Sequence, residues 1–217
     1  MAEAAARLRD HAYSSFTGML LTRDIQPGQF VSQRDLVQLT GFPLGAIREM
    51  IPRLEADGLI RTSPQRGLQV LSIDLDLIRN AFQLRQIIEG EAFAAFCDHA
   101  SDADIQRIHD EHAGIRDECA QGVTPERLSR AQHIDWAFHD HVVDHMGNAI
   151  ISDIHRVNAI KIRLIRNSDT RMLPDHAISV LDVHLEVIRA LMARDKSATL
   201  TAIHAHIESS KRRALGI

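Results

Sequence analysis

From Asp74 onward the chain contains no run of alternating apolar and polar residues, and few prolines or glycines interrupt it. Apolar residues recur instead three and four positions apart, the period of a helix with one buried face. The stretch LDLIRNAFQLRQIIEGEAFAAFCDHA reads as one long amphipathic helix, followed by helices near 101–120, 125–146, 148–168, 174–194 and 196–213. Ser101 with Asp104 makes a capping-box start, and Thr124 before Pro125 makes another. Six helices of such length bury their stripes only against one another, which predicts a bundle. No internal repeat of about 34 or 45 residues is present, so a solenoid is disfavoured.

The first seventy residues follow a different rule. Ala6 to Leu21 has helical spacing in Leu8, Ala12, Phe16, Met19 and Leu20, and Pro27-Gly28 breaks it. Ser32 with Asp35 opens a short second helix that ends at Gly41; Pro43 suits the first position of a third, whose stripe is Leu44, Ile47, Ile51 and Leu54. Two short helices joined by a glycine turn give helix-turn-helix geometry. Beyond Gly58, LIRTS and LQVLS flank PQRG and predict a hairpin with Arg66 at its tip. Arg34, Arg48 and Arg66 would then reach one surface, where arginines clamp phosphates or read guanine edges. A small helical domain with a hairpin and no DNA role fits the same pattern. Pro52 interrupts the third helix, at a cost of roughly 3 kcal/mol unless it kinks.

Charge separates the two regions. Residues 1–72 hold 8 Arg and 7 acids, net +1, whereas the rest hold 17 basic and 22 acidic residues, net −5; twelve of thirteen histidines lie in the second part. The expected division is 1–73 for a winged helix and 74–217 for an all-α bundle, a mainly α chain. Met1 to Arg9 lacks an apolar signal region and no apolar run nears the ~18 residues of a membrane span, so a cytoplasmic protein without membrane contact is expected. Cys97 and Cys119 form no CxxC pair and read as buried thiols.

The histidines concentrate in DWAFHDHVVDH, residues 135–145. Asp135 and His139, four apart, share a helical face roughly 6 Å apart along the axis, with Phe138, Val142 and Met146 beside them. A carboxylate and an imidazole buried together call for a divalent cation or hydrogen-bonded water. His133, His141 and His145 point elsewhere and read as surface or capping residues. Further ligands are available in His184 and in either His204 or His206, which project about 200° apart on a helix.

Residues 25–70, IQPGQFVSQRDLVQLTGFPLGAIREMIPRLEADGLIRTSPQRGLQV, resemble the winged-helix domain of GntR-family transcription regulators. By that resemblance Arg34, Arg48, Arg66 and Gly67 fall on DNA-contacting positions, while PLGA at 43–46 departs from the Ser-Arg-Thr-Pro common at the head of the recognition helix. The later segments LRQIIEGEAFAAFCDHASDADIQRI, DWAFHDHVVDHMGNAII and VHLEVIRALMARDKSATLTAIHAHI are similar to the FCD effector domain of FadR-type members, in a VanR-like size with six helices. The metal-binding subgroup of that domain implies Asp135, His139, His184 and His206 as ligands, with His204 left out, for Zn²⁺, Ni²⁺, Mn²⁺ or Fe²⁺. It implies a small carboxylate effector beside the metal, held by Arg85 and by Arg163 or Arg166. The function so implied is a homodimeric, repressor-like regulator of double-stranded operator DNA, not an enzyme. A metal sensor without an organic effector, or a metalloenzyme using the Asp/His₃ set, are the competing readings.

Overall fold

The computed structural model describes residues 2–169 and 174–217. The chain divides into two compact units, Met1–Leu77 and Ile78–Ile217.

In the first unit three helices, α1 (Ala2–Thr22), α2 (Gln33–Thr40) and α3 (Leu44–Ala56), precede a hairpin of β2 (Ile60–Ser63) and β3 (Gly67–Val70). Of the expected stripes, Ala12, Phe16 and Leu20 of α1 and Ile47, Ile51 and Leu54 of α3 are buried, with Leu36 of α2 and Met50 beside them, whereas Leu8 and Leu44 are exposed. The Tyr13 hydroxyl donates to Asp57 Oδ2 at 2.6 Å, fixing α1 to the C-terminal end of α3, and the Arg53 guanidinium lies 4.1 Å above the same ring. Burial, reinforced by the Asp57 carboxylate, lifts the Tyr13 phenol above its ordinary range.

The start of α2 is a full capping box: Ser32 Oγ accepts from the Asp35 amide at 3.1 Å, and the Ser32 amide donates to Asp35 Oδ2 at 2.7 Å. Gly41 closes the helix at φ 72°, in the left-handed region. Pro43 serves as N-cap to α3 rather than as its first residue. Pro52 does not end that helix; it sits on the exposed side and leaves the Arg48 carbonyl without its intrahelical donor.

A third strand, β1 (Phe30–Val31), is too short to be seen as an alternation in the sequence. It pairs antiparallel with β3, Phe30 opposite Gln69 and Val31 opposite Leu68, giving the order β1-β3-β2. The tight spot in that sheet is Gly67. Its φ is 92°, and a Cβ built there would stand 2.9 Å from the Val31 carbonyl oxygen. The glycine is thus required by the sheet itself, whatever it touches outside.

Among the described residues the second unit contains six helices: α4 (Leu75–His99), α5 (Asp102–Ala120), α6 (Pro125–Asp144), α7 (Ala149–Asp169), α8 (Pro174–Met192) and α9 (Lys196–Leu215). Ser101, Thr124 and Asp195 cap α5, α6 and α9 by accepting from the amide three residues on. α8 packs on α5, α6 and α9; α6 also meets α5 and α7. The α6 helix therefore has neighbours on several sides, and Ala131, Asp135, Phe138, His139, Val142 and Val143 are all buried. Phe93 and Phe138 meet edge-on at 5.3 Å, and both cysteines are free and buried. Arg194, at φ 54°, ties the α8–α9 turn to the end of α4 by donating to the Cys97 and Ala100 carbonyls at 3.0 and 2.6 Å.

Gly67→Ala should lower stability by about 1–3 kcal/mol, because alanine resists a positive φ and its Cβ collides with strand β1. Urea unfolding measures it; an unchanged midpoint would mean that β1 is not held so closely.

Candidate metal centre and adjoining pocket

Four polar side chains converge inside the bundle. Asp135 and His139 come from successive turns of α6, His184 from α8 and His206 from α9, all buried. One donor atom of each lies within 4.8 Å of the other three. His184 Nε2 is 3.2 Å from Asp135 Oδ1 and 3.3 Å from His206 Nε2, and His139 Nε2 is 3.9 Å from the same Oδ1. The rings of His139 and His206 stack at 5.3 Å.

Burial pushes the His184 and His206 imidazoles well below their usual range, and His139 below it too, so all three are neutral rings with a lone pair. Burial alone would raise the Asp135 carboxyl, but the Arg166 guanidinium, followed by His184, holds it far below the ordinary carboxylate range. Its Oδ1 has no hydrogen-bond donor. An orphaned buried carboxylate oxygen facing three imidazoles is an unstable arrangement by itself and a suitable N₃O donor set for a divalent transition metal. Donors about 2.1 Å from one ion and roughly a right angle apart stand about 3 Å from each other, close to the separations here. The residues therefore fit such an ion.

Around this cluster lies a web of buried charge. Arg166 Nη1 bonds Asp135 Oδ2 at 2.7 Å. Arg85 Nε bonds Glu89 Oε1 at 2.7 Å, its Nη2 lies 2.8 Å from His139 Nε2, and Glu89 Oε2 stands 2.8 Å from His139 Nδ1. Burial opposes ionisation of Glu89, yet Arg85, with His139 and His155, pulls its carboxyl down to about 2.

A small pocket opens beside His139, and Arg85, Arg163 and Arg166 all line it. Arg163 is held by Asp140 at 2.5 Å and lies 4.8 Å over the Trp136 ring; His155 Nε2 is 3.1 Å from the other oxygen of Asp140. The apolar part of the wall is Ala159 and Ile162.

Of the other histidines, buried His112 stands edge-on to His184 at 5.4 Å, whereas those weighed from the sequence separate from the cluster. His204 turns toward α4, its Nε2 2.9 Å from where a Cβ on Gly90 would be. His133 is exposed, His141 pairs with Asp104 at 2.7 Å, and His145 caps α6 with its ring edge-on to Phe96. Sequence reasoning missed Glu89, Asp140 and His155. Glu89 had a signal, an Arg-Glu pair four apart on one helix face; the other two had none, because they meet only through the packing of α6 on α7.

In the first unit Arg34, Arg48 and Arg66 are all exposed. Arg48 Nε donates to Gln33 Oε1 at 3.2 Å, which puts it beside the start of α2 next to Arg34. Arg66 stacks 4.0 Å over the Phe30 ring. The departure at PLGA leaves Leu44 exposed and Gly45 with open space around it.

The FCD domain family matches residues 80–209. The chain is 21% identical over 197 residues to the HTH-type transcriptional regulator YdhC of Bacillus subtilis (strain 168), spanning 89% of this chain and 85% of that protein. In structure it is similar to E. coli McbR/YncC, with a TM-score of 0.74 at 13% identity over 96% of this chain and 97% of the other. It is also similar to a GntR transcriptional regulator from Rhodococcus sp. RHA1, with a TM-score of 0.71 at 19% identity over 99% and 97%. At these identities the structural likeness speaks for the fold alone.

Asp135→Ala should cost about 1–3 kcal/mol in urea unfolding of protein treated with chelator, since it removes the buried carboxylate that accepts from Arg166 Nη1. A loss under about 1 kcal/mol would mean that water reaches that pair.

Proposed function

The chain belongs to the FCD domain family of GntR-type transcription regulators, and from that membership we propose that its hold on operator DNA is set by a small organic acid bound beside a divalent metal in the helical unit. The family consists of transcription regulators, which disposes of the metalloenzyme reading.

One observation carries the proposal: the Asp135, His139, His184 and His206 cluster shares His139 with a pocket lined by three arginines. The charges support an anion there. The two buried guanidiniums, Arg85 and Arg166, balance the two buried carboxylates, Glu89 and Asp135, and the histidines of the cluster are neutral. A divalent ion would therefore add two positive charges in a place of low dielectric, of which a monocarboxylate would offset one and a dicarboxylate both. Arg85 and Arg163 are the residues to receive it, with Arg166 alongside. The metal supplies a fixed positive charge when bound; the chain's own residues orient the anion and keep bulk water out.

Arg34, Arg48 and Arg66 are assigned to phosphate or base contacts of a homodimer on palindromic double-stranded DNA, where two copies of the first unit would occupy half-sites. Gly67 acts through the strand it makes possible. An effector that prefers one dimer geometry by roughly 1–3 kcal/mol is sufficient to shift operator affinity.

In a gel-shift series the full chain should bind its own promoter region with affinity that falls steeply with salt, and Arg48→Ala or Arg66→Ala should weaken it without loss of helical circular dichroism. Equal affinity for random DNA would refute operator recognition. Protein purified without chelator should carry close to one transition metal ion per subunit; His184→Ala should carry little and His204→Ala should retain it. A metal-free wild type would sink the metal part of the reading. Screening of mono- and dicarboxylates by thermal shift should find one that raises Tm, with about 2.7 kcal/mol expected at 100 times Kd. If Arg85→Ala responds as wild type does, Arg85 is not part of the acid site.

A further inference from the structure

Four donor atoms point into the cluster, and two arginines touch them in different ways. Arg166 takes Asp135 Oδ2, the oxygen turned away, so Oδ1 stays open to a ligand. Arg85 takes His139 Nε2 at 2.8 Å. A neutral imidazole has one N–H and one nitrogen with a single lone pair. An arginine N–H can only donate, so the 2.8 Å contact with Arg85 Nη2 makes Nε2 the nitrogen with the lone pair and leaves the ring proton on Nδ1, which stands 2.8 Å from Glu89 Oε2. His184 Nε2 and His206 Nε2 face each other and Asp135 instead. Among the four, His139 Nε2 alone is shown in contact with a cationic side chain.

One lone pair serves one partner. We propose that Arg85 gates the centre: its Nη2 and a divalent cation contend for His139 Nε2, so that the guanidinium turns into the pocket and becomes available to an anion only when the cation is bound. This deepens the metal and acid reading above and rests on it. The Glu89 carboxylate, 2.7 Å from Arg85 Nε, keeps the displaced guanidinium at the pocket wall rather than releasing it to solvent. Arg85 thereby connects the two ligands. The cation makes the anion site by freeing an N–H donor, and the anion in turn holds Arg85 off the ring, so each raises the affinity of the other. Arg163, already held by Asp140, has no such role.

The test uses Zn²⁺ alone with the full chain, its affinity read by competition with a chromophoric chelator. Arg85→Met should bind Zn²⁺ roughly tenfold or more tightly than Arg163→Met, which removes the same charge from the same pocket without freeing a lone pair. An equal gain in the two variants overturns the gate and leaves the metal reading standing. Absence of Zn²⁺ binding in the wild type overturns both. Should Arg85→Met fail to fold with Glu89 stranded, a crystal structure of zinc-loaded wild type decides: Arg85 Nη2 is expected away from His139 Nε2 and toward the pocket. Finding it still within about 3.2 Å of that atom would overturn the proposal.

Discussion

Asp135 is the constraint from which the second unit follows. A carboxylate with no solvent exposure, in the middle of a helix that packs on several sides, is tolerable only if opposite charge and donors are brought to it. Arg166 from α7 supplies the charge and His184 from α8 supplies the nearest ring, at 2.7 and 3.2 Å. Each of those helices is thereby fixed in register against α6, since a slip of one residue would carry the partner around to another face. Apolar packing alone, Phe on Phe and Leu on Ile, would accept several such registers. The polar centre selects one.

The same economy shapes the tautomers. Glu89 acts on one nitrogen of His139 and Arg85 on the other, so the ring's orientation is set from both sides before any ligand arrives. Its neighbours are neutral because they are dry, and they are dry because Phe93, Phe138 and Val142 close the bundle above them. A binding centre and a hydrophobic core here are one object seen at different atoms.

Much of this was legible in the residues. Helix positions followed from spacing and caps, and Ser32, Ser101 and Thr124 did what their side chains favour at a helix start. Asp135 and His139 were readable as a pair because four residues is one turn; the choice of His206 over His204 was not, since the period says only that they diverge and not which one faces inward. That choice depends on Gly90, whose missing side chain makes room for the His204 ring. The β1 strand was invisible because two residues carry no period, and the pairing of Asp140 with His155 and Arg163 was invisible because they lie on α6 and α7 with no common spacing, although Arg163 itself was a candidate. What pattern cannot encode is the approach of one helix to another.

The span of the cluster along the chain has a consequence for how the molecule is made. Asp135 and His206 lie 71 positions apart, with the two helices α7 and α8 between their own, so their meeting closes a long loop and belongs to the late, non-local part of folding. Until α9 docks, the acid and imidazole of α6 and His184 of α8 lack their fourth companion. Ligand affinity is consequently a more sensitive gauge of a finished fold than helix content is, because fraying of α9 alone would erase the first while leaving most of the second. Damage at a distance, in the turn that Arg194 pins to the end of α4, would then register as weakened response rather than as a missing protein.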